Sequence, residues 1–183
     1  METALLMIDI QNDYFPGGKM ELVGSPEAGS NAGRVLARFR ERGEPIVHIQ
    51  HISTRPGASF FLPDTAGAAI HSSVEPAAGE TVITKHFPNS FRDTALTDHL
   101  QSRQIRRLVV AGMMTHMCVD ATVRAAFDLG FRRTVLNDAC ATRDLSFGST
   151  AVPAEQVHAA FLAALEAVYA EVLSVDAFLA GEK

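Results

Sequence analysis

Five or six short apolar runs alternate with stretches of helical periodicity along the chain. The runs are Ala4–Ile10, Pro45–Gln50, Thr81–Thr84, Arg107–Gly112, Arg133–Asn137 and Ala170–Ser174. They are apolar on both faces, which is the pattern of strands buried in a parallel sheet. Between them, Glu27–Arg42 reads as a helix closed by Gly43, and Thr94–Ser102 as a second helix. From Cys118 onward, Val119, Thr122, Val123, Ala126 and Phe127 recur at helical spacing, with Gly130 as the stop. Pro153–Val168 opens on a proline suited to a first helical turn. Strands alternating with helices predict βαβ units, an α/β class and a doubly wound parallel sheet. Such a sheet gathers ligands at the carboxyl ends of its strands. The segment Ser53–Gly79, rich in Pro, Gly, Ala and Ser, reads as a long surface excursion flanking that end.

Composition narrows the classes. A length of 183 residues fits one domain spanning residues 1–183, large enough to bury its own core. The net charge of −5, without a basic cluster, speaks against a nucleic-acid partner. No apolar run approaches the length needed to cross a membrane, and the first residues lack the pattern of a signal peptide. Two cysteines without a CxxC motif are not a disulfide framework, so a cytoplasmic protein is expected.

Three strands deliver a chemically able residue at their carboxyl ends: Asp9, Lys85 and, past the fourth run, Cys118. Thr115 stands where an N-cap would, which puts Cys118 in the first turn of a helix. There the helix dipole lowers a thiol pKa and free N–H groups can hold an oxyanion. A packing role remains open for each residue. A free thiol packs well between helix and sheet, Asp9 can cap the next turn, and a lysine is usually at the surface. Cys140, in NDACATRD, has no acid–base pattern around it and reads as structural.

Three segments in order, LLMIDIQNDYF (Leu5–Phe15), VITKHFPNSF (Val82–Phe91) and VVAGMMTHMCVDATVRAAFDLGF (Val109–Phe131), resemble the isochorismatase-like cysteine hydrolases. That superfamily includes nicotinamidases and N-carbamoylsarcosine amidase-like enzymes. The resemblance implies a three-layer α/β/α fold with a six-stranded parallel sheet. It implies a triad of Asp9 as general base, Lys85 as third member and Cys118 as nucleophile. It further implies a cis peptide at Met113–Met114, with the N–H groups of Met114 and Cys118 as the oxyanion hole, and a homo-oligomer, at least a dimer. The apolar excess of Pro153–Leu173 points the same way.

The sequence departs from the nicotinamidase relatives after the second strand. His51 and Ser53 stand where those enzymes carry an Asp-x-His metal motif, so no metal and no cofactor are expected; His48, His51 and His71 are the imidazoles nearby. No arginine cluster accompanies the motifs; Arg55 and Arg92 are the nearest candidates. The expected pocket residues are Phe15, Phe60, His86, Phe91, His116 and Met117, with Met114, Phe61 and Leu62 beside them. Such a pocket favours a small, partly apolar amide, cleaved at a non-peptide C–N bond through a thioester. The alternatives are ether or ester hydrolysis of an isochorismate-like acid, and a non-catalytic binding or scaffold protein on the same fold.

Overall fold

The computed structural model describes residues 2–181. Its centre is a six-stranded sheet built from β1 (Glu2–Ile8), β2 (Ile46–His51), β3 (Thr81–Lys85), β4 (Ile105–Met113), β5 (Arg132–Ala141) and β8 (Glu171–Leu173). All neighbouring pairs are parallel and the order is β3-β2-β1-β4-β5-β8. A separate antiparallel hairpin joins β6 (Leu145–Phe147) to β7 (Thr150–Val152). The helices are α1 (Ser25–Arg42), α2 (Leu96–Ser102), α3 (Asp120–Asp128), α4 (Ala154–Val168) and α5 (Val175–Gly181).

Strand alternation explains the three layers. Leu5 and Met7 point to one face and pack with Ala32, Val35, Leu36 and Phe39 of α1 and Phe178 of α5. Leu6 and Ile8 point to the other, against Leu96 and Leu100 of α2, Val123 and Ala126 of α3, and Leu162 and Leu165 of α4. Strands with both faces covered must be apolar throughout, as the sequence pattern anticipates. Among the described residues no helix is long and apolar enough to cross a membrane.

The strand order reverses between β1 and β4, so a crevice opens past their carboxyl ends. Close approach of these strands requires Gly112. It pairs with Ile8, and a Cβ there would sit 2.2 Å from the Ile8 carbonyl oxygen.

Several boundaries differ from the sequence reading. β1 stops at Ile8, before the expected Ile10, because Asp9 turns the chain with φ of 51°. α3 begins at Asp120; Thr115–Val119 forms a wider π-type turn. Thr115 caps nothing: its hydroxyl donates to the Ala141 carbonyl and pairs with His158. The hairpin and α5 carry no strong periodicity and are not predicted. On α4 the larger apolar residues Val157, Leu162 and Leu165 turn inward. The outward residues include Ala159, Ala160, Ala163, Ala164 and Ala167, so much of the apolar excess is alanine.

Candidate active site

Asp9 follows β1, Lys85 ends β3, and Cys118 lies in the turn after β4. Asp9 and Lys85 are 0% exposed and Cys118 is 4% exposed. Lys85 Nζ joins them. It lies 2.7 Å from Asp9 Oδ2, 3.3 Å from Cys118 Sγ, 3.0 Å from His51 Nδ1 and 3.0 Å from the Phe87 carbonyl oxygen. Four acceptors surround an ammonium with three hydrogens. The Asp9 contact is a close, charge-assisted ion pair. That carboxylate also lies within 4.8 Å of Sγ and faces the thiol.

Burial sets the charges. Desolvation pulls the Lys85 pKa down, but Asp9 and Cys118 together outweigh it and the net shift is upward. Lys85 therefore stays an ammonium at neutral pH. The Cys118 thiol is raised far above its ordinary value, first by burial and then by the Asp9 charge, with Lys85 opposing. The sequence reading expected a dipole-lowered thiol. Desolvation of a nearly inaccessible sulfur overrides that effect here, so the resting state is a neutral thiol beside a balanced ion pair. Alkylation of Cys118 by iodoacetamide should thus climb with pH and reach no plateau below about pH 9, beyond an ordinary thiol pKa of about 8.5. A plateau below neutrality, read by peptide mapping, would show a resting thiolate. Cys140 is also buried, with its pKa pushed up to about 12 by desolvation.

Above the thiol opens a cavity of about 400 Å³ with aromatic and methionine walls: Tyr14, Phe60, Phe61, Phe87, Met114 and Met117. The excursion after β2 is tied down to form one wall. Asp13 Oδ2 accepts the Phe61 N–H at 2.7 Å, and Gln11 Nε2 donates to the His51 and Ala68 carbonyls at 2.9 and 2.8 Å. Gly67 permits that closure, since a Cβ there would lie 2.2 Å from Asp13 Oδ1. His86 lines the mouth, where its Nδ1 donates to the Ile52 carbonyl at 2.8 Å. The Met113–Met114 peptide bond is cis.

The sequence profile of the isochorismatase domain matches residues 3–177. The chain belongs to the isochorismatase family. It is 54% identical over 179 residues to the isochorismatase family protein YddQ of Bacillus subtilis, covering 98% of this chain and 99% of that one. A solved structure from Oleispira antarctica, assigned as an isochorismatase hydrolase, is 52% identical and superposes with a TM-score of 0.95 over 98% of this chain and 97% of its own. At lower identity, the nicotinamidase of Escherichia coli is 28% identical over 75% of this chain and 82% of its own length. The maleamate amidohydrolase of Pseudomonas putida is 29% identical over 76% and 72%. The chain is thus a hydrolase of the isochorismatase family.

Of the expected pocket residues, Phe60, His86 and Met117 line the cavity, as do Met114 and Phe61. Three do not. Phe15 turns away and stacks on His71 at 3.5 Å between ring centroids. Phe91, partly buried, stacks on Phe131 at 5.9 Å and packs against the core that α2 and α3 cover. His116 pairs with Thr142 at 2.5 Å and lies edge-on to Phe161. Leu62 is partly exposed outside the cavity. Arg55 is a lining residue, whereas Arg92 stacks on the Phe87 ring at 3.7 Å. Tyr14, His51 and Phe87 are among the lining residues that the sequence reading did not place in the pocket.

A family metal site finds no match in these residues. His48 is bound to Glu80 at 2.8 Å, and His71 is engaged by Phe15 and Ser73. Among the described residues the one group with metal-like ligand spacing is Asp9, His51 and Cys118. The Lys85 ammonium already sits against all three, supplying the positive charge a metal would bring.

Proposed function

We propose that the chain is a cysteine hydrolase that cleaves a C–N bond of a small amide through a thioester on Cys118. One observation carries this reading: a buried thiol, a buried carboxylate and an ammonium shared between them stand together at the floor of an apolar cavity. The names of two relatives, nicotinamidase and maleamate amidohydrolase, support an amide as the bond broken.

The sulfur attacks the amide carbonyl carbon as the thiol proton passes to Asp9. The N–H groups of Met114 and Cys118 receive the oxyanion. The C–N bond breaks as Asp9 returns its proton to the departing nitrogen, and an amine leaves. Water then gives a proton to Asp9 and attacks the thioester carbon. The C–S bond breaks and the proton returns to sulfur, completing a carboxylic acid product. Lys85 holds the Asp9 charge in place and stabilises negative charge on sulfur during attack.

A panel of neutral amides, scored for ammonia and for a thioester adduct at Cys118, tests this reading. Isochorismate scored for pyruvate tests the ether-cleaving alternative. Its two carboxylates would meet a cavity lined by a single arginine, Arg55. A panel yielding pyruvate but no ammonia would reject amide cleavage. Turnover should also survive exhaustive chelation, since Lys85 fills the place of a cation. Activity lost to a chelator and restored by zinc would contradict that.

A further inference from the structure

The proposed chemistry leaves His51 without a task, yet its ring is held as firmly as the reacting groups. His51 ends β2 and pairs in register with Lys85 at the end of β3. Buried Gln11 clamps its peptide on both sides, accepting from the N–H at 2.7 Å and donating to the carbonyl at 2.9 Å. The ring meets Lys85 Nζ through Nδ1 at 3.0 Å. An ammonium offers only hydrogens, so Nδ1 accepts and the single ring hydrogen of a neutral imidazole sits on Nε2. Burial, with Lys85 and His86 adding to it against Asp9, lowers the His51 pKa to about 4. The ring is neutral at pH 7.

His51 lines the cavity, and its Nε2 has no hydrogen-bond partner among the described residues. One of its ring nitrogens lies within 4.8 Å of Cys118 Sγ. The Tyr14 hydroxyl, also without a hydrogen-bond partner among the described residues, belongs to the same cavity. We propose that His51 determines specificity: its Nε2–H donates to a second, neutral acceptor of the substrate, a carbonyl oxygen or ring nitrogen a few bonds from the scissile carbonyl. The inference rests on the amide-hydrolase reading and adds the substrate class. A neutral acceptor fits because the donors at this end of the cavity, His51 and Tyr14, are neutral and Lys85 is already balanced by Asp9; Arg55 is the one other cation among the lining residues, and a charged acceptor would have to reach it. An amide without the acceptor leaves a desolvated N–H unpaired and binds less well.

The test uses binding to the full-length Cys118→Ala protein, which cannot turn over by the proposed route. Two matched pairs serve as probes: nicotinamide against benzamide, and malonamide against butanamide. The acceptor-bearing member should bind about 5-fold more tightly, the worth of one neutral hydrogen bond. His51→Asn keeps an oxygen for Lys85 but loses the pocket donor, and should erase the preference. His51→Gln, whose amide reaches further, should recover part of it. Nitrogen-15 spectra should show His51 as the Nε2–H tautomer from about pH 6 to 8, well above a His51 pKa of about 4. Equal binding within both pairs, no binding by any probe, or an Nδ1–H tautomer overturns the proposal. Failure to trap a thioester in the wild-type protein bears on the amide-hydrolase reading alone.

Discussion

Cys118→Ala is expected to abolish turnover and leave the fold intact. The side chain is buried among other groups but supports none of them alone. Lys85 keeps three acceptors, Asp9, His51 and the Phe87 carbonyl, when the sulfur is gone. The thermal midpoint should therefore move by only a few degrees, as for a loss of about 1 kcal/mol. Cys118→Ser should be nearly as inactive. A hydroxyl is harder to deprotonate than a thiol, and Asp9 is a weak base for it. Cys140→Ala is the control and should keep wild-type rates, because Cys140 lies in β5 outside the cavity. Substantial turnover in Cys118→Ala, measured as ammonia release, would mean that the bond is broken without a thioester.

The grouping of Asp9, Lys85 and Cys118 was legible because the sheet brings together what the chain keeps apart. Asp9, Lys85 and Cys118 follow three different apolar runs, and a parallel sheet aligns the carboxyl ends of such runs. Nearness to a motif did not translate into pocket lining. Tyr14 and Phe15 are adjacent at a tight turn, and their side chains part: Tyr14 enters the cavity and Phe15 packs against His71. Phe91 follows Lys85 by six residues, but the chain has already turned toward the core under α2 and α3. His116 sits two residues before Cys118, and the π-type turn directs it toward Thr142. Which way a residue faces in such turns depends on local dihedrals that a hydrophobic pattern does not encode.

His51 was a different kind of miss. It stood out in the sequence only as a departure from a metal motif. Its partnership with Lys85 follows from the β2–β3 register, in which Val47 faces Thr81 and His51 faces Lys85. Register between parallel strands joined by a long excursion cannot be counted along the chain. The thiol pKa was misjudged for a related reason. Spacing located Cys118 near a helix start, but only packing shows how completely the sulfur is cut off from water.

Lys85→Met is expected to destabilise the protein by about 3–5 kcal/mol at neutral pH, the range for breaking a buried ion pair. Methionine fills much of the lysine's volume, so lost charge rather than lost packing dominates. Asp9 would then be a fully buried carboxylate with no counter-charge. One consequence separates this account from a simple packing defect: the deficit should shrink at strongly alkaline pH. The folded Lys85 pKa is raised, so its contribution is complete below the unfolded value of about 10.4 and fades as pH rises through the folded one. Asp9→Asn combined with Lys85→Met should recover most of the lost stability, since neither charge remains buried alone. Both single variants should lose turnover: Asp9→Asn by about two to four orders of magnitude for want of the proton acceptor, Lys85→Met for want of the cation that steadies negative charge on sulfur during attack. Denaturant titration across pH decides the matter. A Lys85→Met protein as stable as wild type at pH 7 would show that the ammonium does not sustain the buried Asp9 charge, and the assignment of Asp9 as a resting base would fall with it.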